Sequence, residues 1–336
     1  MLKNKDLDFE AIPLFDLNEM NSAETLQKLV IRLRDICHHV GFFYVKNHGV
    51  DPALLSRMLY LSEVFFDLSD QEKEAISILL SPHYRGYGKL MAEMTDGIPD
   101  FKETYDLGLE QSVQPIKENQ RYKILQGPNQ WPHVKTLQIL QWKETVLQYI
   151  SALQQLGLRL MQMMSMALDL PKDYLASFFS AHSDDSYAIL RMLRYPPGRR
   201  PEGSDEPLLG VGPHVDAGCL VILLQDEVGG LQVQNCSGQW IDAPPIADTF
   251  VVNIGEMLQI WSNNYFLATP HRVINSSTHI RHSVPFFFEP NLSTVVSPFS
   301  LSDKLLAEMK RPMANPATNI VYGEHILKIY ERSFPR

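Results

Sequence analysis

At 336 residues, with 45% apolar and 21% charged side chains, the chain is long enough to bury a full core and has an ordinary globular composition. Its net charge of −9 argues against a nucleic-acid partner, whose phosphates demand a basic face. No apolar run reaches the length needed to span a bilayer, and Met1-Leu-Lys-Asn-Lys-Asp-Leu-Asp8 has neither an apolar core nor a cleavage site, so no membrane partner and a cytoplasmic location are expected.

In chain order, Asn21-Ser-Ala-Glu24 reads as a capping box, followed by an apolar stripe at helical spacing (Leu26, Leu29, Val30, Leu33, Ile36, Cys37) that Gly41 closes. Gly41-Phe-Phe-Tyr-Val45 is strand-like. Asp51-Pro52 opens a second helix, with proline at its first position, and Ser69-Asp-Gln-Glu72 caps a third. The stretch from 81 to 132 is irregular, and long irregular stretches are often functional. Residues 134–169 read as one long helix. From 186 onward short apolar strands alternate with turns such as Ser237-Gly238 and Asn263-Asn264, which predicts a barrel or jelly roll. Two helical stretches, 301–311 and 322–333, end the chain. The organisation expected is therefore a mainly helical region over 1–185 packed on a β core at 186–300, with C-terminal helices at 301–336, forming one structural unit. Cys37, Cys219 and Cys236 make no paired framework and read as reduced.

Within the β region one constellation carries chemistry. His214-Val-Asp216 places an imidazole and a carboxylate at i and i+2, the same side of a strand, with Val211 and Val215 opposite. His271 follows in a second strand-like run, Thr269-Pro-His-Arg-Val-Ile274. Arg281 and Ser283 are again i and i+2, in a run that ends Phe286-Phe-Phe288, where the phenylalanines are expected to fill the core. Two imidazoles and a carboxylate with open positions suit non-haem Fe(II), and arginine with serine suits a carboxylate that reacts there. His282 alternates away from that pair. His38, His39, His48, His83, His279 and His325 lack ligand-like context.

The surrounding residues carry a resemblance over about 12–290. Leu193-Arg-Tyr-Pro-Pro197, His214-Val-Asp-Ala-Gly218, Leu223 to Val233, Trp240-Ile-Asp-Ala-Pro-Pro245, Val252-Asn-Ile-Gly-Glu256, Pro270-His-Arg-Val273 and Arg281-His-Ser283 resemble the 2-oxoglutarate/Fe(II) oxygenases of the isopenicillin N synthase-like group. Ile12-Pro-Leu-Phe-Asp-Leu17 and Gly41 to Val50 are similar to that group's N-terminal region. The resemblance implies an α+β fold with a double-stranded β-helix (jelly-roll, cupin-like) core and flanking helices. It implies Fe(II) held by His214, Asp216 and His271, with 2-oxoglutarate and O2 as co-substrates. Arg281, Ser283 and Tyr195 would then bind 2-oxoglutarate, which is decarboxylated to succinate and CO2 while a C–H bond of a small molecule is oxidised by hydroxylation, desaturation or cyclisation.

Two alternatives stay open. In an oxidase of the isopenicillin N synthase type, which uses no 2-oxoglutarate, Arg281 and Ser283 would hold the substrate's own carboxylate. Arg191-Met-Leu-Arg-Tyr195 resembles the bacterial ethylene-forming enzyme, whose activity would involve 2-oxoglutarate and arginine. Arg191 is therefore a candidate for substrate or co-substrate binding, on the same strand face as Tyr195, with Arg194 pointing away. Tyr87, Glu103 and Tyr105, in the irregular stretch, are further candidates for lining the substrate's entry.

Overall fold

A computed structural model describes residues 8–19, 22–179, 184–198, 208–275 and 277–334. Two β-sheets face one another. The larger has eight strands in the order Leu14–Asp16, Phe42–Lys46, Thr249–Ile254, Leu220–Gln225, Arg281–Phe288, Ala188–Tyr195, Glu103–Gly108 and Gly86–Gly88. The smaller has four, in the order Trp240–Asp242, Leu231–Gln234, His271–Ile274 and Leu209–His214. Apart from the parallel pair of Leu14–Asp16 with Phe42–Lys46, neighbours in both sheets run antiparallel. This is the jelly-roll core expected. Four strands of the large sheet come from the first 108 residues, so the N-terminal region contributes wall to the same barrel.

Side-chain alternation decides what each face of the large sheet does. Phe43, Val45, Ile222, Leu224, Phe250, Val252, Val284, Phe286 and Phe288 point to one side, into a core shared with the helices Ala23–His39, Pro52–Phe66 and Trp142–Ala167. Phe42, Tyr44, Leu193, Tyr195 and Val251 point to the other side, toward Val211, Leu231, Val233 and Val273 of the small sheet. The strands are therefore apolar on both faces.

The helix starts follow local chemistry. Ser22, not Asn21, caps the first helix, in a reciprocal capping box with Thr25; Asn21 lies outside the described residues. Asp51 caps the second ahead of Pro52, and Ser69 and Glu72 form the third's capping box. The expected helix over 134–169 is two: Lys135–Ile139 and Trp142–Ala167, separated at Gln141, whose φ of +53° no helix tolerates. The C-terminal helices are Asp303–Glu308 and Tyr322–Ser333. The irregular stretch contains the hairpin Met94–Thr95/Ile98–Pro99 and two strands of the large sheet. Among the described residues no helix is long and apolar enough to cross a membrane. Cys37, Cys219 and Cys236 are all free thiols.

Candidate metal centre

Between the sheets lies a cavity of about 550 Å³. The odd-numbered residues of two adjacent strands line it: Ile189, Arg191, Leu193 and Tyr195 on one, and Arg281, Ser283, Pro285 and Phe287, continuing to Glu289, on the other. The expected core role of the three phenylalanines thus holds for Phe286 and Phe288, whereas Phe287 faces the cavity because its parity is opposite.

His214 and His271 sit directly opposite one another on paired strands of the small sheet, ring centroids 4.2 Å apart. The strand ends at His214, so Asp216 is presented by the turn that follows rather than by strand alternation. Val211 and Val215, expected on the opposite face, both border the cavity, and Val211 also packs in the inter-sheet core. Asp216 Oδ1 lies 3.7 Å from His214 Nε2 and its Oδ2 lies 3.5 Å from His271 Nε2. The three ligand-type atoms lie within 4.8 Å of one another.

Backbone contacts aim these groups. His214 Nδ1 lies 2.8 Å from the Gly212 carbonyl and His271 Nδ1 lies 3.2 Å from that of Thr269. A proton on each Nδ1 would be held there, leaving the Nε2 lone pairs free for a metal. Burial, reinforced by His214, lowers His271 to about 4, so its ring is neutral at physiological pH. Burial works against the Asp216 carboxylate, but His271, His214 and a 2.7 Å hydrogen bond from Asn253 Nδ2 outweigh it and keep the group below its ordinary pKa. Two imidazoles and one carboxylate fit a divalent first-row metal.

The turn carrying Asp216 is gripped by its own backbone. Gly255, Glu256 and Met257 donate their amides to the carbonyls of Cys219, Asp216 and Gly218. A Cβ on Gly255 would come within 2.2 Å of the Gly218 carbonyl oxygen, so only glycine permits this approach.

Arg281 is 1% exposed. Its Nη1 donates to Ser283 Oγ at 3.3 Å and its Nη2 to Gln225 Oε1 at 3.4 Å, while the Tyr195 ring lies beneath the guanidinium at 4.7 Å. Its Nε has no partner, and among the described residues no carboxylate lies within ion-pair distance. Gly210 packs on the Tyr195 ring, and a Cβ there would approach Cδ1 to 2.6 Å. A buried guanidinium with only neutral contacts is a docking point for an anion.

Arg191 differs in that its partners are resident. It makes a two-pronged ion pair with Asp106 at 2.6 and 2.7 Å and a second with Glu93 at 3.0 and 3.1 Å. Lys102 joins Glu93 at 3.0 Å to Asp100 at 2.8 Å, and Asp100 accepts from Thr95 and from the amide of Gly212. Burial opposes ionisation of Glu93, but Arg191 and Lys102 overcome it and hold the carboxyl at about 2. Glu93, Asp100, Lys102 and Arg191 all border the cavity.

The structure brings His214, Asp216, His271, Arg281, Ser283, Tyr195 and Arg191 to one cavity. It does not bring Tyr87, Glu103 and Tyr105 there. Register explains the correction: Glu103 stands opposite Arg194, and Tyr105 opposite Met192 and Tyr87, all on the helix-covered face. Glu103 instead pairs with Lys73 and approaches Arg194, and Tyr87 donates to it. His282 likewise lies on that face, against Phe66. Sequence reasoning missed Glu93, Asn253, Glu289 and His325. Asn253 lay inside the quoted Val252-Asn-Ile-Gly-Glu256 run, where its parity with Val251 was a usable signal. Glu93 and His325 had none, since each reaches the site from a distant segment.

Comparison with known proteins agrees with this geometry. Residues 12–134 match the family model described as non-haem dioxygenase in morphine synthesis N-terminal, and residues 184–290 match that of the 2OG-Fe(II) oxygenase superfamily. A homoarginine-6-hydroxylase of Oryza sativa subsp. japonica is 33% identical over 331 residues, covering 96% of this chain and 97% of its own. A 2-oxoglutarate-Fe(II) type oxidoreductase of Emericella nidulans is 36% identical over 288 residues, covering 84% and 80%. The solved structure of a full-length Neurospora crassa protein in complex with alpha-KG superposes with a TM-score of 0.78 at 25% identity, covering 96% of each chain.

Proposed function

This chain belongs to the 2-oxoglutarate/Fe(II) oxygenase superfamily, and from that premise we propose that its substrate is a small amino acid with a cationic guanidino or amino end. The reaction class comes with the family. The protein is a non-haem Fe(II)- and 2-oxoglutarate-dependent oxygenase that oxidises a C–H bond of a small molecule as 2-oxoglutarate is converted to succinate and CO2. The bound metal, with O2 and the keto acid, supplies the oxidant for that step.

In this reading His214, His271 and Asp216 hold Fe(II) through two Nε2 atoms and a carboxylate oxygen. Asn253 keeps the Asp216 carboxylate in its orientation. Arg281 and Ser283 take the distal carboxylate of 2-oxoglutarate, with the Tyr195 ring keeping the guanidinium from swinging away. An arginine suits this role because its planar fork meets both carboxylate oxygens at once.

The observation that carries the substrate class is the charge on the cavity wall. Glu93 and Asp100 border the cavity, paired there with Arg191 and Lys102, while Asp106 lies behind Arg191 with the buried guanidinium of Arg85 also acting on it. Glu93, held ionised by its two cations, presents a carboxylate to the cavity that a cationic group of the substrate can meet. Arg332, on the C-terminal helix, also borders the cavity and makes no ion pair among the described residues, which suits the substrate's own carboxylate. The similarity to homoarginine-6-hydroxylases over nearly the whole chain supports the same class.

The test is succinate release above the uncoupled rate with a panel of basic, neutral and acidic amino acids. Basic members are expected to stimulate, and Glu93→Gln to raise their KM at least tenfold while leaving the visible band of the anaerobic Fe(II)–2-oxoglutarate complex in place. Equal stimulation by neutral or acidic members, or an unchanged KM in the variant, refutes the substrate class without touching the reaction class.

A further inference from the structure

The cavity-facing strand that begins with Arg281 and Ser283 ends at Phe288, and Glu289 follows it, bordering the same cavity. This carboxyl is 4% exposed, and neither the iron ligands nor the co-substrate clamp explains it. Its Oε2 accepts a hydrogen bond from the amide of Cys219 at 2.8 Å. Its Oε1 is pressed against Gly218 so closely that a Cβ there would lie 1.9 Å away. Glu289 therefore sits on the backbone of the turn that carries Asp216, the same turn whose carbonyls are gripped by the amides of residues 255–257.

The same carboxyl meets the C-terminal helix. Tyr322, the first residue of that helix and fully buried, has its phenol beside Glu289, close enough for the two groups to perturb each other though not aligned as a hydrogen bond. The helix start is tied down beside it, Tyr322 donating its amide to Thr294 and Gly323 to Leu292. One turn on, His325 Nε2 lies 3.3 Å from the Ala217 carbonyl, in the same turn as Asp216. Ile326, Ile329, Tyr330 and Phe334 of the helix segment then wall the cavity.

We propose that Glu289 is a positioning residue that sets the backbone of the Asp216 turn and joins it to the C-terminal helix, so that the carboxylate ligand and the cavity's cover share one support. Losing that support misaims Asp216 and loosens the cover together. The chemical consequence is uncoupling: 2-oxoglutarate and O2 still give succinate and CO2, but the remaining oxygen atom is reduced to water by a two-electron reductant supplied in the assay, such as ascorbate, instead of oxidising the substrate C–H bond.

Glu289→Ala and Glu289→Gln test this, because glutamine keeps an acceptor for the Cys219 amide and fills the same volume. Hydrogen exchange in the full-length, metal-free chain is the readout that does not depend on activity. Glu289→Ala is expected to accelerate exchange at least tenfold in peptides covering both 216–220 and 322–334, with 188–195 unchanged; Glu289→Gln accelerates neither. In the Fe(II)-loaded enzyme the ratio of succinate formed to substrate oxidised rises several-fold in the alanine variant and returns toward wild type in the glutamine variant. Acceleration in one segment alone, no acceleration, or a glutamine variant as disturbed as alanine overturns the proposal. Should Glu289→Ala fail to fold, Glu289→Met carries the test, since it fills a similar volume without an acceptor for the Cys219 amide; unchanged exchange at 216–220 and 322–334 in that variant is equally decisive against the proposal.

Discussion

Replacing Arg281 with methionine is expected to stabilise the metal-free protein while abolishing its response to 2-oxoglutarate. The guanidinium is 1% exposed, has two neutral hydrogen-bond partners at 3.3 and 3.4 Å, and leaves its Nε without one. Asp226 feels its field but gives its carboxylate to the amides of His282 and Val228. Exchanging a buried, poorly compensated charge for an apolar side chain of similar length is favourable by about 1–4 kcal/mol. For a chain of 336 residues the unfolding entropy, at about 2.1 cal/mol/K per residue, is near 0.7 kcal/mol/K, so a gain of about 2 kcal/mol raises Tm by roughly 3 °C. The ligand arm runs the other way. At a hundred times its Kd, 2-oxoglutarate stabilises the wild-type holoprotein by about 2.7 kcal/mol, roughly 4 °C. The variant loses two charge-assisted hydrogen bonds of about 1.5–3 kcal/mol each, a weakening of a hundredfold or more, and shows no shift at the same concentration. Scanning calorimetry with and without anaerobic metal and 2-oxoglutarate reads both arms. A variant less stable than wild type when empty, or one that keeps the ligand-induced shift, refutes the assignment of Arg281 as an anion clamp awaiting its partner.

Other outcomes follow from the same geometry. Asp216→Ala removes the only carboxylate of the triad and is expected to abolish the anaerobic Fe(II)–2-oxoglutarate band; retention of the band rules out the ligand set. Gly218→Ala places a Cβ 1.9 Å from Glu289 Oε1 and should cost about 1–3 kcal/mol of overpacking, a penalty that shrinks in a Glu289→Ala background; denaturant melts of the four-member cycle measure it. Burial lowers His38 and His282 to about 4 in the folded chain, below their ordinary 6.5. The unfolded chain therefore binds protons first as pH falls, so the stability these neutral rings contribute is present above about 6.5 and is lost between there and about 4. Tm should fall across that window, and His282→Leu should flatten the fall; an unchanged slope contradicts it.

How much of this was legible in the sequence depends on how each residue reaches the cavity. Residues aimed by strand alternation were readable: Arg281 with Ser283, and Arg191 with Tyr195, share a face because their parity is the same, and Arg194 and His282 point away for that reason. The His214–Asp216 pair was located, but by the wrong device, since the strand stops at His214 and a glycine-dependent turn aims the carboxylate. Tyr87, Glu103 and Tyr105 failed because irregular composition suggested a functional loop, where the chain in fact adds two strands to the large sheet and turns these three side chains toward the helices. Glu93, Glu289 and His325 come from a hairpin, a strand end and the last helix, and only tertiary packing brings them together.

The comparison of Arg191 with Arg281 shows why pattern alone cannot assign roles within such a cavity. Both are odd-numbered residues of adjacent strands in one sheet, both face the same space, and a sequence treats them alike. Their chemistry differs because of what the irregular segment brings. It places Asp106 and Glu93 on Arg191, which converts that arginine from a free anion receptor into a strut that presents a carboxylate to the cavity. Nothing comparable reaches Arg281, whose neighbours are a hydroxyl, an amide and an aromatic face. On the proposed reading the resident carboxylates would keep a diacid from binding at Arg191, and their absence at Arg281 would direct it there. Discrimination between co-substrate and substrate would then rest on the excluded alternative as much as on the favoured contact.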